Sequence, residues 1–271
     1  MQSYALVTGA STGIGREIAR CFAKDQIPLI LVSRQMEVLE KVRFDLMEVS
    51  KQPIELISMD LSHPQAAGEL CWRIEDLGLE VEYLVNNAGF GNFGNVQDLP
   101  EGKDEELLQL NTVTLTGLTE RFVSKMLEQG RGRILNVAST AAFQPIPNMA
   151  AYAASKAYVL HYSEALAEEL RGTGVTVSVL CPGPTATDFG KRAGVEMLPF
   201  FEGPLVMTAD RVAREGYLGM LAGKRIIING RLNQIGTFSN RFSPRWLSCW
   251  IAGQLMRSVK RRGQASYYSG K

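Results

Sequence analysis

Thr8-Gly9-Ala10-Ser11-Thr12-Gly13-Ile14-Gly15 decides how the rest of the chain folds. It ends an apolar run, Tyr4–Thr8, and opens onto an amphipathic segment, Ile14–Lys24. That is a strand, a glycine-rich turn and a helix. Gly9 permits a sharp turn, Gly13 lets the backbone approach a pyrophosphate, and Gly15 allows close helix–strand packing. The start of the helix offers unpaired N–H groups and a partial positive charge to phosphates. A dinucleotide is therefore expected against Gly9, Ser11, Thr12, Gly13, Ile14 and Gly15.

The same alternation continues outward. Pro28–Ser33, Glu55–Met59, Tyr83–Asn86, Arg133–Ala138, Thr176–Leu180 and Arg225–Ile228 are short apolar runs that predict buried strands. Between them, Gln35–Ser50, Pro64–Leu77, Glu105–Gln129, Ala151–Arg171 and Ala209–Leu221 carry helical patterns. Strand–helix alternation predicts an α/β fold: a single doubly wound parallel sheet, Rossmann-like, with helices on both faces. The expected organisation is a dinucleotide-binding and catalytic domain over residues 1–230 and a C-terminal extension over 231–271 with an amphipathic helix. No internal repeat or low-complexity tract interrupts it.

About 20 positions after the glycine turn, at the end of the second strand, a residue should read the adenosine ribose. The sequence there is Val32-Ser33-Arg34. No carboxylate is present to accept the ribose hydroxyls. Ser33 can donate to a 2′-phosphate and Arg34 can grip one as a fork. NADP(H) is expected rather than NAD(H). Asp60, followed by Leu61 at the end of the third strand, could meet the adenine edge or cap the next helix.

Tyr152 and Lys156 stand four apart on a predicted helix and so share a face. A free phenol is a poor base at neutral pH. An ammonium ~5 Å away contributes ~3 kcal/mol at an effective dielectric of ~20, roughly two pKa units. That would bring Tyr152 toward working pH as a general acid/base. Ser139 follows the fifth strand, where strand ends face the ligand crevice, and its hydroxyl could hold the oxygen that Tyr152 protonates.

Bulk properties close off other classes. Net charge is +1, from 29 Lys+Arg against 28 Asp+Glu, so nothing favours a nucleic-acid partner. Cys21, Cys71, Cys181 and Cys249 are far apart in sequence, which argues against disulfides and a zinc site and fits a reducing cytoplasm. With only His63 and His161, no metal site is expected and a Ser-His-Asp hydrolase is disfavoured. The N-terminus has no signal-peptide pattern, and no apolar run reaches the ~20 residues that span a bilayer.

Thr8–Gly15, Asn86-Asn87-Ala88-Gly89, Asn111, Ser139, Tyr152 with Lys156, and Pro182-Gly183 stand in the order and spacing of the short-chain dehydrogenase/reductase family. The chain resembles that family from about residue 4 to 230. Its patterns Thr-Gly-x-x-x-Gly-x-Gly, Asn-Asn-Ala-Gly and Tyr-x-x-x-Lys are all intact. The resemblance implies that Tyr152 is the acid/base and that Ser139 orients the substrate oxygen. It implies that Lys156 binds the nicotinamide ribose and tunes Tyr152, while Asn111 supports a water-linked proton relay. Asn87, Ala88 and Gly89 would flank the cofactor. Thr185 and Thr187, after Pro182-Gly183, would cover the nicotinamide and pyrophosphate. It also implies a homodimer or homotetramer packed through the Glu105–Gln129 and Ala151–Arg171 helices, where Leu115, Ala153, Ala154 and Ala157 could face a partner. The competing reading is a non-catalytic NADP(H)-sensing protein, which would have no need of the complete Ser139–Tyr152–Lys156 set.

Phe189 to Met207 is expected to form a substrate lid. Its Phe189, Leu198, Phe200, Phe201, Leu205 and Val206 suit a lipophilic carbonyl or alcohol substrate. The tail from Pro244 to Arg262 predicts an amphipathic helix opened by Ser243 and Pro244. Trp246, Trp250, Ile251, Leu255 and Val259 would dock its apolar side. The docking surface is either the protein's own body, which is favoured, or a peripheral membrane contact. Arg245, Arg257, Lys260, Arg261 and Arg262 supply positive charge.

Overall fold

A computed structural model describes residues 3–193 and 206–269, with side chains as far as Arg257 in the second stretch. The strands are β1 (Ser3–Thr8), β2 (Leu29–Ser33), β3 (Ile54–Ser58), β4 (Glu80–Asn86), β5 (Gly132–Val137), β6 (Val175–Cys181) and β7 (Ile226–Ile228). All seven are parallel, in the order β3-β2-β1-β4-β5-β6-β7. The order reverses beside β1, and the crevice at the C-terminal ends of β1 and β4 is where such sheets bind ligands.

Side-chain alternation sends each strand into two cores. Ala5, Val7, Leu29, Leu31, Val85 and Leu135 pack on one face, beneath helices α1 (Gly13–Lys24), α2 (Met36–Met47) and α8 (Ala209–Leu221). Leu6, Ile30, Val32, Leu84 and Ile134 pack on the other. That face carries α3 (Ala66–Asp76), α5 (Leu115–Gln129) and α6 (Ala150–Glu169). The predicted doubly wound sheet is the one observed.

Three details depart from the sequence pattern. The expected Glu105–Gln129 helix starts as α4 (Lys103–Leu108), widens into a π-helical turn over Gln109–Thr114, and continues as α5. A second helix, α9 (Arg231–Ser239), precedes the tail helix α10 (Arg245–Ser269), which follows α7 (Phe189–Ala193) and α8 in chain order. Finally, α10 packs through a different face from the one expected. Ser248, Ala252 and Met256 are buried, whereas Trp246, Trp250, Ile251 and Leu255 are exposed. Small residues allow close approach: a Cβ on Gly253 would lie 3.4 Å from Pro147 Cγ. The indole side chains would hold the helix off.

Leu198, Phe200, Phe201 and Leu205, and the side chains of Val259, Lys260, Arg261 and Arg262, lie outside the described residues. Short parallel strands Thr185–Ala186 and Met207–Thr208 pair at the two ends of the expected lid.

Candidate active site

The crevice is a cleft of about 560 Å³. It brings together nearly every residue singled out from sequence. Gly9, Ser11, Thr12, Gly13 and Ile14 line one end, with Ser33, Arg34, Asp60 and Leu61 beyond them. Asn87, Ala88, Gly89, Ser139, Tyr152 and Lys156 line it as well, with Pro182, Gly183, Thr185 and Thr187, of which Thr187 packs against Gly13. Gly15 and Asn111 are the exceptions, and both lie behind the lining.

At the glycine turn, Gly9 and Gly13 have φ of 66° and 57°, the left-handed region that favours glycine. Gly15 is packed against the turn itself. A Cβ there would meet both the Gly9 carbonyl oxygen and Asn87 Nδ2 at 2.4 Å. The partner is thus the turn and Asn87, rather than the strand the sequence suggested. Asn87 is a strut: its Nδ2 donates to the carbonyls of Thr8 (3.0 Å) and Gly9 (3.1 Å). Thr8 Oγ1 donates to Val85 O and accepts from the amides of Asn87 and Ala88. These bonds lock the ends of β1 and β4 together under the cleft.

The features expected for a bound dinucleotide fit these residues. α1 begins at Gly13, and its cap residue Thr12 makes no side-chain capping bond, so its first-turn amides are left for a ligand. Ser33 Oγ is buried without a hydrogen-bond partner. Arg34 is exposed beside it. Asp60 turns out to be a turn-former: its Oδ1 accepts from Ser62 N (2.9 Å) and Ser62 Oγ (2.7 Å). Partial burial pulls its carboxyl upward, but the Ser62 bonds, with the charges of Arg34 and His63, hold it below the ordinary range.

In the middle of the cleft, Tyr152 is buried, with Ser139 placed to favour its ionised form. Ser139 Oγ also accepts from Ala141 N at 3.1 Å. Lys156, also buried, donates from Nζ to Val137 O at 2.9 Å and lies 5.8 Å from the Tyr152 ring centroid. Here the expected lowering of the phenol is not found. Burial pushes Tyr152 up to about 12, with Ser139 opposing it, and pushes Lys156 down to about 8. The ammonium is turned toward the Val137 carbonyl, and burial of the phenol outweighs its attraction in this state. The phenol is a held proton donor in this state.

Asn111 sits in the π-helical turn and braces the site from behind. Its Nδ2 donates to Phe90 O (3.0 Å) and to Ser155 Oγ (3.1 Å), and its Oδ1 accepts from Phe90 N (3.2 Å). Ser155 Oγ in turn donates to Tyr152 O at 2.7 Å. The widened turn is what lets a helical side chain reach across to a loop and a second helix. A Cβ on Gly89 would fall 2.8 Å from Asn111 Oδ1 and 3.5 Å from Lys156 Nζ, so only glycine fits between them.

Some roles escaped the sequence reading. Asn86 Nδ2 donates to Thr119 Oγ1 and Asn136 Oδ1, and Asn136 Nδ2 donates to Ser163 Oγ. This buried ladder joins β4, β5, α5 and α6 below Lys156. The available signal was an Asn inside each apolar strand run. Leu232, Asn233, Ala252, Leu255 and Met256 also line the cleft, so α9 and α10 complete its wall. Met256 packs in one cluster with Tyr152, Met149 and Phe189, and the Tyr152 and Phe189 rings are 5.4 Å apart.

A family model described as short chain dehydrogenase matches residues 3–197. The ketoacyl reductase HetN of Nostoc sp. is 33% identical over 66% of this chain and 62% of its own length. The 17-beta-hydroxysteroid dehydrogenase type 3 of Mus musculus is 28% identical over 97% of this chain and 86% of its own. Among solved structures, a short-chain dehydrogenase from Sphingobium yanoikuyae in complex with NADPH superposes with a TM-score of 0.78 and is 29% identical. That match covers 88% of this chain and 93% of the other.

Proposed function

The chain belongs to the short-chain dehydrogenase/reductase family of oxidoreductases, and on that premise we propose that it is an NADP(H)-dependent carbonyl reductase or alcohol dehydrogenase acting on a lipophilic substrate. The observation that carries this is the convergence of Ser139, Tyr152 and buried Lys156 in one cleft that also exposes Arg34. Support for NADP(H) comes from the NADPH-bound relative and from the partnerless Ser33 hydroxyl next to Arg34.

When bound, the nicotinamide supplies or takes up the hydride. The rest falls to this chain. The glycine turn and the start of α1 hold the pyrophosphate, and Ser33 with Arg34 hold the 2′-phosphate. Ser139 fixes the substrate oxygen. In reduction, Tyr152 Oη gives its proton to that oxygen, and the resulting phenolate is stabilised by Ser139 and the Lys156 charge. In oxidation, the same oxygen takes the proton back. Asn111 holds Tyr152 and the Phe90 loop in register, and solvent returns the proton by way of Lys156. Met149, Phe189 and Met256 give the substrate end its apolar character.

Incubation with labelled NADPH over a panel of ketones, aldehydes and 3-oxoacyl thioesters tests this. Turnover of at least one lipophilic ketone is expected. Tight NADPH binding with no turnover across the panel would favour the cofactor-sensing alternative.

The outer faces of α5 and α6 are proposed to pair two copies. Leu115 and Ala153 are buried within the protomer and cannot serve. Ala154 and Tyr158 are exposed there and Val113 just before α5, with Tyr158 Oη 2.8 Å from Thr116 Oγ1. Light scattering at about micromolar concentration should report a dimer or tetramer, and a monomer would contradict the pairing.

A further inference from the structure

The tail is polarised in two ways. Residues 231–271 contain eight of the chain's 29 basic residues and none of its 28 acidic ones, leaving 21 basic against 28 acidic residues in the first 230. On the same segment, α9, α10 and the turn between them expose Ile235, Phe238, Phe242, Trp246, Trp250 and Ile251. Phe242 is 77% exposed, Trp246 71% and Phe238 58%. Large aromatic side chains this open on adjoining elements mark an interaction surface. Arg241 and Arg245 are exposed between them. The opposite side of α10 is committed to the protein through Ser248, Ala252 and Met256.

We propose that the outer face of α9 and α10 docks on an anionic lipid bilayer and sets the mouth of the cleft against the lipid. Charge decides the occupant. A second copy would bring two wholly cationic segments together across a twofold axis, a like-charge juxtaposition that opposes association. An anionic membrane offers the opposite sign to the arginines and an interfacial layer suited to Trp and Phe. Among the described residues no helix is long and apolar enough to cross a membrane, so the contact lies in the interface plane. Leu232 and Leu255 belong to both surfaces: each lines the cleft and each is exposed. The apolar face therefore reaches the cleft at these two leucines. Entry of a lipophilic substrate from the bilayer rests on the oxidoreductase reading above; docking itself does not.

Flotation of the full chain with vesicles tests the docking. It should float with phosphatidylcholine–phosphatidylserine vesicles and not with phosphatidylcholine alone. The W246E/W250E variant should bind at least about tenfold more weakly, and R241Q/R245Q about fivefold more weakly per removed charge. W246E/W250E should reduce a short water-soluble ketone at the wild-type rate, because neither Trp lines the cleft. It should lose rate on a long-chain ketone presented in vesicles. Absence of wild-type flotation, or equal flotation of wild type and W246E/W250E, overturns the proposal. So does a lipid-free dimer that W246E/W250E dissolves while vesicles fail to bind. Equal loss on both ketones would place the tryptophans in the site and overturn it as well. If the wild type reduces no ketone of the panel above, the carbonyl-reductase reading fails, and flotation still decides docking.

Discussion

Lys156 is held where its charge is costly, so Lys156→Met should make the ligand-free protein more stable while disabling it. Burial lowers this amine from 10.5 to about 8. At about 1.4 kcal/mol per pH unit, the folded state at pH 7 bears a cost of about 3 kcal/mol for keeping Lys156 protonated. Methionine removes that cost and fills similar volume. It also forfeits the bond from Nζ to Val137 O, a charged donor worth about 1.5 kcal/mol. The net gain is about 1–2 kcal/mol, or a rise in melting temperature of roughly 2–6 °C. The sign of the pH dependence follows. A lowered folded-state pKa destabilises below that value, and the penalty fades as pH rises from about 8 toward 10.5. The advantage of the variant should therefore be largest at pH 7 and shrink by pH 10. Thermal denaturation of both proteins, without cofactor, at those two pH values is the assay. A variant less stable than wild type at pH 7, or a difference that does not change with pH, would refute the reasoning.

Arg34→Ala should weaken NADPH binding by about 1.5–3 kcal/mol, roughly 10- to 150-fold, and leave NADH binding nearly unchanged; equal loss for both cofactors would remove Arg34 from the 2′-phosphate site. Carbonyl reduction should hold steady to about pH 8 and fall above it as Lys156 loses its charge, since Tyr152 at about 12 stays protonated throughout. Alcohol oxidation, which needs the phenolate, should have its optimum at higher pH than reduction, and the reverse order of the two optima in initial-rate profiles would count against Tyr152 as the shared group.

The fold was legible because each strand had to satisfy two cores. Leu29 and Leu31 face one, Ile30 and Val32 the other, and such runs are apolar throughout. The glycine turn was legible because left-handed backbone at Gly9 and Gly13 leaves few residue choices. The tail was misread in a specific way. An apolar stripe at helical spacing says that one side of α10 avoids water, but not what it meets. The body accepted the Ser248–Ala252–Met256 row, whose small members permit close approach, and left the indoles outside. The π-helical turn at Asn111 has no sequence signature, because it arises from the bonds to Phe90 and Ser155, which lie 21 and 44 positions away. The Tyr152 shift was misjudged for a related reason. Spacing placed Lys156 nearby but could not show that burial of both groups would outweigh their attraction.

The most direct measurement is Tyr152→Phe, with single-turnover reduction of whichever ketone the wild type uses and NADPH binding followed in parallel. The ring keeps its place against Phe189 and Met256, and only the hydroxyl is lost. The account predicts a fall of about 10²- to 10⁴-fold in the chemical step, with NADPH affinity within a few-fold of wild type. A variant that reduces the ketone at the wild-type rate would show that the proton comes from elsewhere.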